Sequence, residues 1–268
     1  EVKSFLEYVK KLCRINVDGV IVQDLGALDI ISKTVPELPI HASTQMTVTD
    51  AAGVRYLKNL GVNRVVLARE LSKEKIKEIS KNTDSELEIF VHGALCMCYS
   101  GQCLLSSIIG GRSGNRGRCA QPCRLSYTLL ENGKSVFEGF LLSPKDLNLL
   151  DSIDDVKDTG CVSLKIEGRL KRPEYVATVV RVYRKYLDNL SFVSDDDKKA
   201  LLDAFNRGGF TKGFFGGKVG KSMMCHDFSG NAAENKFSKE ACAVCREDAN
   251  FRKISVYMYA KLSENSPL

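Results

Sequence analysis

Apolar residues along this chain follow two alternating rhythms: short continuous runs, and longer stretches with apolar positions three and four apart. The runs are bounded by Gly, Asp or Asn and suit buried strands of a parallel sheet. They lie at Asp18 to Asp24, Ile40 to Ser43, Arg64 to Ala68, Glu86 to His92, Phe140 to Ser143 and Val162 to Glu167. Between them the spacing predicts helices over Val2 to Asn16, Leu25 to Thr34, Thr49 to Gly61, from Ser72 onward, Lys145 to Thr159 and Pro173 to Asn189. Thr49 and Ser72 stand where N-caps belong, Gly61 where a helix stops and Pro173 near a first turn. Strands and helices alternating through short connections give a parallel βα architecture.

Two segments depart from that rhythm. Leu125 to Gly139 reads as a hairpin around Glu131-Asn-Gly133, and Arg207 to Gly217 is a glycine–aromatic stretch that follows a short helix from Ser194 to about Asn206. Residues 1–223 therefore form one α/β unit with an insertion at 94–139, and residues 224–268 begin a C-terminal accessory region with Ile254 to Leu262 as its expected strand. The chain opens at Glu1 in what reads as the middle of an amphipathic helix with no cap, so an N-terminally truncated chain is expected.

With 268 residues, 44% of them hydrophobic, the chain can bury a substantial core. No apolar run approaches the ~20 residues of a membrane span, so no membrane role is expected and the cytoplasm is the expected location. A net charge of +6 permits an anionic partner such as RNA without requiring one.

Ten cysteines in such a chain point to thiols or metal ligands rather than a disulfide framework. Cys96, Cys103, Cys119 and Cys123 give the spacing Cys-x6-Cys-x15-Cys-x3-Cys, with Cys98 outside it, in a loop rich in glycine. Glycine tolerates the bends needed to turn four thiolates toward one soft metal centre. Zinc and an iron–sulfur cluster both fit, the wide first gap being less suited to a zinc knuckle; buried or redox thiols are the plain alternative. Cys242-x2-Cys245 with Cys225 and His226 upstream is a weaker candidate for a second metal, and Cys13 and Cys161 read as packing residues.

Glu88, Phe90, Gly93-Ala94, Cys96, Gly101, Cys103 and Ser106 resemble the signature of the peptidase U32 family, the collagenase-like peptidases. The resemblance is specific in this stretch and looser over most of the chain. It implies a TIM-type (β/α)8 barrel, here N-terminally truncated by about two βα units, since six strands are predicted where eight are needed; a doubly wound sheet is the alternative. It also implies a [4Fe–4S] cluster on the four cysteines. The RNA-hydroxylating members of the family make 5-hydroxyuridine in tRNA or 5-hydroxycytidine in ribosomal RNA, with prephenate, a small dicarboxylate metabolite, as the implied oxygen donor.

In a parallel barrel the working residues sit at the C-terminal ends of strands. That rule selects Gln23, Asp24, His41, Ser43, Thr44, Gln45, Arg69, Glu70, His92, Ser143, Lys145, Asp146, Lys165, Glu167 and Arg169. The catalytic candidates are His41, Gln45, Arg69, Glu70, Lys165, Glu167 and Arg169. Each has a plain reading beside it: His41 as a hydrogen-bonded core histidine, Gln45 as a loop-anchoring amide, Arg69 and Glu70 as an internal ion pair, His92 as a residue orienting the cysteine loop. Lys165, Glu167 and Arg169, with Lys171 and Arg172 beyond, suit a carboxylate or phosphate, the plain reading being a self-neutralising network. Arg112, Arg116, Arg118 and Arg124 form a second basic group, suited to a phosphate backbone or simply solvated.

Three functions follow. The first is an iron–sulfur enzyme hydroxylating a pyrimidine of tRNA or ribosomal RNA. The second is a peptidase, for which a cysteine with His41 or His92 is the one nucleophile–base pair that can be assembled. The third is a cluster-bearing scaffold working with a partner protein.

Overall fold

The computed structural model describes residues 2–226, apart from 170 and 189–191, together with Phe237. The chain begins with α1 (Val2–Arg14), β1 (Val20–Val22), α2 (Leu25–Thr34), β2 (Ile40–Ala42), α3 (Ala51–Asn59), β3 (Arg64–Val66), α4 (Lys73–Lys81) and β4 (Glu86–Gly93). After the cysteine segment, with its short α5 (Leu105–Gly110), comes the hairpin β5 (Tyr127–Glu131) and β6 (Lys134–Gly139). Then follow β7 (Asp146–Asn148), α6 (Ile153–Lys157), β8 (Ser163–Ile166), α7 (Pro173–Asp188), α8 (Asp195–Ala204) and β9 (Phe210–Thr211).

Local chemistry fixes the helix starts. Asp24, Asp50, Ser72 and Ser194 each sit in extended backbone and accept an amide proton from the first turn of α2, α3, α4 and α8. Asp50, not Thr49, is thus the cap of α3. The apolar side of each helix then packs on the sheet: Leu28 and Ile31, Val54 and Leu57, Ile76 and Ile79, and Val179 and Val182 join Ile40, Ala42, Val65, Leu87, Ile89 and Val91 in one core.

Strands β1, β2, β3, β4 and β8 pair in parallel, in that order. The order runs with the sequence, without the reversal that marks a doubly wound sheet. β7 pairs antiparallel with the end of β4 and parallel with β9, so the sheet is mixed. No closed barrel forms among the described residues.

Two expectations change here. Phe140 to Ser143 is a turn, with the Ser143 amide donating to the Phe140 carbonyl, so the described residues hold five strands of the parallel βα run where six are expected. The stretch from Lys145 to Thr159 is not one helix: it begins as β7 and becomes α6 only at Ile153. Asp146 is buried in that strand because Arg207 pairs with it at 2.6 Å, which is why a polar sequence there hid a strand. Cys13 is exposed on α1 rather than packed, whereas Cys161 does pack against the core. Cys242, Cys245 and the strand expected at 254–262 lie outside the described residues, as does nearly all of the accessory region. Among the described residues no helix is long and apolar enough to cross a membrane.

Candidate metal centre and strand-end site

The side chains of a strand alternate between faces, and the register puts His41, Arg64, Glu86, Glu88, Ser163 and Lys165 on the face opposite the helices. They form a charge-paired network. Lys165 Nζ lies 2.8 Å from Glu88 and Ser163 Oγ donates to Glu88 at 2.6 Å, while Arg64 pairs with Glu86 at 2.7 Å and reaches Glu88 at 3.7 Å. Burial works to raise the Glu88 carboxyl, but Lys165 and Ser163 outweigh it and hold the group below its usual range. Burial and the Arg64 charge lower the His41 imidazole, which favours its neutral form. Lys165 is therefore occupied by Glu88, on a neighbouring strand, rather than by Glu167, which meets Arg69.

At the C-terminal ends of the same strands, side chains reach across to the cysteine segment. After β1, Gln23 donates to the Asn115 carbonyl at 2.6 Å. After β2, Gln45 donates to Gly114 at 3.4 Å and Thr47 to the Ser100 carbonyl at 2.6 Å. After β3, Arg69 donates to the Ala94 carbonyl at 3.2 Å, and Glu70 accepts from both the amide and the hydroxyl of Ser100 at 3.1 and 3.2 Å. After β8, Arg169 donates to the Gly117 carbonyl and its amide donates to Glu167 at 3.1 Å. Arg69 and Glu70 thus do not pair with each other. Arg69 stacks over the Phe90 ring at 4.0 Å and meets Glu167 at 3.4 Å.

Of the remaining strand-end residues, Asp24 and Ser43 cap α2 and the turn at 44–46, and Thr44 donates to the Leu67 carbonyl. His92 is 1% exposed among Tyr175, Tyr183 and Phe210, so it is a core residue and does not orient the loop. Burial pulls its imidazole down to about 3, with Asn148 opposing.

The stretch from Ala94 to Gly117 is laid over these strand ends. Gly101, at φ +81°, packs so closely on Gln45 that a Cβ there would stand 2.1 Å from the Gln45 carbonyl oxygen. Arg124, which spacing assigned to the basic group, is half-buried and fully engaged: it donates to Leu95 and Pro144 carbonyls at 2.5 Å and to Ser143 Oγ at 3.0 Å. It ties the start of the segment to its end, a role that spacing does not reveal.

Cys96, Cys103 and Cys123 are half-buried and Cys119 is exposed. Burial raises the Cys96 thiol, and Cys103 and Cys119 raise it further against the pull of Arg69. Burial also raises Cys123, opposed by Arg124 and assisted by Cys96, Cys119 and Cys103. Cys96 and Cys123 are thus each influenced by the other and by Cys103 and Cys119. Cys98, outside the spacing, is beside Cys103 and Cys96 as well. Among the described residues no three His, Cys, Asp or Glu side chains already stand around one metal position. The donor set nevertheless fits a thiophilic centre: it contains thiols, flanking guanidiniums at Arg69 and Arg124, and no acidic residue from Ala94 to Leu130.

One cation beside the site was underweighted by pattern. Lys171 lies over the Phe205 and Tyr175 rings with no acid paired to it among the described residues. Burial and the neighbouring Arg207 charge lower its amine to about 7.

Several known proteins resemble the chain. A tRNA hydroxylation protein from Bacillus subtilis is 43% identical over 190 residues, covering 68% of this chain and 45% of that protein. A 23S rRNA 5-hydroxycytidine synthase from Escherichia coli is 41% identical over 190 residues, 70% of this chain and 29% of that protein. An uncharacterized protease from Methanocaldococcus jannaschii is 37% identical over 256 residues, 90% of this chain and 61% of that protein. The chain thus spans between 29% and 61% of the length of these relatives. The model of peptidase family U32 matches residues 1–225, and the chain belongs to that family.

Proposed function

We propose that this chain is part of an iron–sulfur enzyme that hydroxylates a pyrimidine of tRNA or ribosomal RNA. The observation that carries the reading is a single acid-free segment that carries the four spaced cysteines, Cys96 and Cys123 each influenced by the other three, with its backbone hydrogen-bonded to residues at the C-terminal ends of parallel strands. Support also comes from the RNA-hydroxylation names of the B. subtilis and E. coli relatives. The five parallel strands in sequential order are read as an arc of a (β/α)8 barrel, whose working end is the one these loops cover. A cytoplasmic location goes with an RNA substrate.

In this reading Cys96, Cys103, Cys119 and Cys123 hold a [4Fe–4S] cluster, which when bound supplies one-electron redox chemistry. Glu70, Thr47, Gln45 and Gln23 position the segment by its backbone, and Arg69 and Arg124 set positive charge beside Cys96 and Cys123. The dicarboxylate co-substrate, prephenate, is assigned to Lys171 rather than to Lys165 and Arg169, because Glu88 and the Gly117 carbonyl already engage those two.

The peptidase reading draws on the name of the M. jannaschii relative. Among the described residues neither His41 nor His92 makes a nucleophile–base pair with a cysteine of the loop: His92 is caged by aromatic rings and His41 faces Arg64. Anaerobic purification separates the two. Iron and acid-labile sulfide in a ratio near one, lost on Cys103→Ala, is the expected result. A colourless protein that cleaves gelatin overturns it, as do unchanged 5-hydroxypyrimidine levels in RNA from a deletion strain.

A further inference from the structure

The cysteine segment is as unusual on its outer side as on its inner one. Met97, Tyr99, Leu104, Ile108, Ile109 and Leu125 are between 48% and 78% exposed. Arg112, Arg116 and Arg118 are exposed beside them, and no acidic residue from Ala94 to Leu130 opposes their charge. Arg116 and Arg118 have no side-chain partner among the described residues, whereas Arg112 donates to the Arg118 carbonyl at 2.9 Å. Asn115 Nδ2 donates to the Gly101 carbonyl at 2.8 Å, which holds the arginine stretch against the turn that carries Tyr99. The arginine stretch and the turn that carries Tyr99 are therefore neighbours in the fold, and the ring is three residues from Cys96.

We infer that this face is an RNA-docking surface, on which Arg116 and Arg118 take backbone phosphates and Tyr99 stacks an unpaired base beside the strand-end site. The inference rests on the RNA-modifying reading and adds to it where the RNA sits. Guanidiniums without acid partners neutralise phosphates, an exposed ring offers a base its π-face, and single-stranded loops are the parts of RNA whose bases are free to stack. Exposed aliphatic side chains such as Ile108 and Ile109 extend the same contact across base edges. A protein partner would match the aliphatic residues but leave the arginines unpaired unless it were acidic.

The test is binding of total tRNA and ribosomal RNA fragments to the purified protein across a salt series, a readout independent of catalysis. The wild type is expected to bind, with log Kd rising steeply with log salt. Arg116→Ala with Arg118→Ala is expected to reduce the salt slope by about 1.4–1.8, and Arg116→Lys with Arg118→Lys to restore it. Tyr99→Ala is expected to weaken binding about 5- to 150-fold at every salt, with Tyr99→Phe retaining it. Wild-type binding that none of these variants alters overturns the surface while leaving the RNA reading intact. No wild-type binding to any RNA overturns both, and capture of an acidic protein instead, lost in the same arginine variants, assigns the face to that partner.

Discussion

A histidine held neutral inside a ring of aromatics makes stability depend on pH in a calculable way. His92 lies 5.3 Å from Phe210, 5.6 Å from Tyr183 and 6.1 Å from Tyr175, centroid to centroid, and its imidazole is lowered to about 3. The unfolded chain protonates it near its ordinary value of about 6.5. Because the folded value is the depressed one, the contribution to stability is complete above about pH 6.5 and is lost as pH falls toward 3. Between pH 7 and pH 5 the loss comes to about 2 kcal/mol, which at a urea slope of roughly 2–3 kcal/mol/M moves the midpoint by roughly 0.7–1 M. The assay compares urea midpoints of wild type and His92→Phe at both pH values, with His92→Gln as a second variant in case the larger ring does not pack. Groups common to the proteins, including His41 and the carboxylates, cancel in the difference. Equal midpoint shifts for wild type and variants would refute the reasoning.

Three further outcomes are expected. Arg124→Met removes three hydrogen bonds from buried partners and should cost about 3 kcal/mol, with the cysteine segment cut sooner by trypsin-free proteases such as chymotrypsin; unchanged stability and cleavage would place the guanidinium outside the tie. Gly101→Ala meets both a left-handed backbone and the Gln45 carbonyl, so a loss of at least about 2 kcal/mol and a fall in iron content are expected; full iron loading would show the two segments are not in contact. Lys165→Met leaves Glu88 with Arg64 at 3.7 Å as its remaining cation and should destabilise by about 1–3 kcal/mol at pH 7, with the effect shrinking as pH falls through the carboxylate range, because Lys165 is a main cause of the lowered Glu88 carboxyl; a loss independent of pH would count against the ion pair.

Helices and most strands were legible because their signals were local. Asp24 begins α2 and the predicted and observed ends coincide at Leu25 and Thr34; Asn132 and Gly133, both at positive φ, make the hairpin turn. β7 was hidden because Asp146 looks like a surface residue until Arg207, sixty-one positions away, is folded against it. The barrel rule points to the strand ends, and the reading of Gln45 as a loop-anchoring amide fits its bond to Gly114; that Glu70 and Arg169 also reach the cysteine segment was not legible, because no periodicity encodes a contact between a strand end and a loop far away in sequence. His92 sits in an apolar run, Ile89-Phe-Val-His92, and only its neighbours decide that it is core. Cys98 fell outside the spacing and lies next to Cys103 all the same, because a turn brings together what a count of residues separates.

The hairpin of β5 and β6 forms its own two-stranded sheet, apart from the seven-stranded one. Tyr127 Oη donating to the Pro122 carbonyl at 2.9 Å and Phe137 against His226 are its moorings. Its tip at Asn132–Gly133 faces solvent, with nothing within 4 Å of where a Gly133 side chain would start. That makes the tip a convenient place to graft a fluorophore or an affinity handle with which to follow the chemistry at the strand ends.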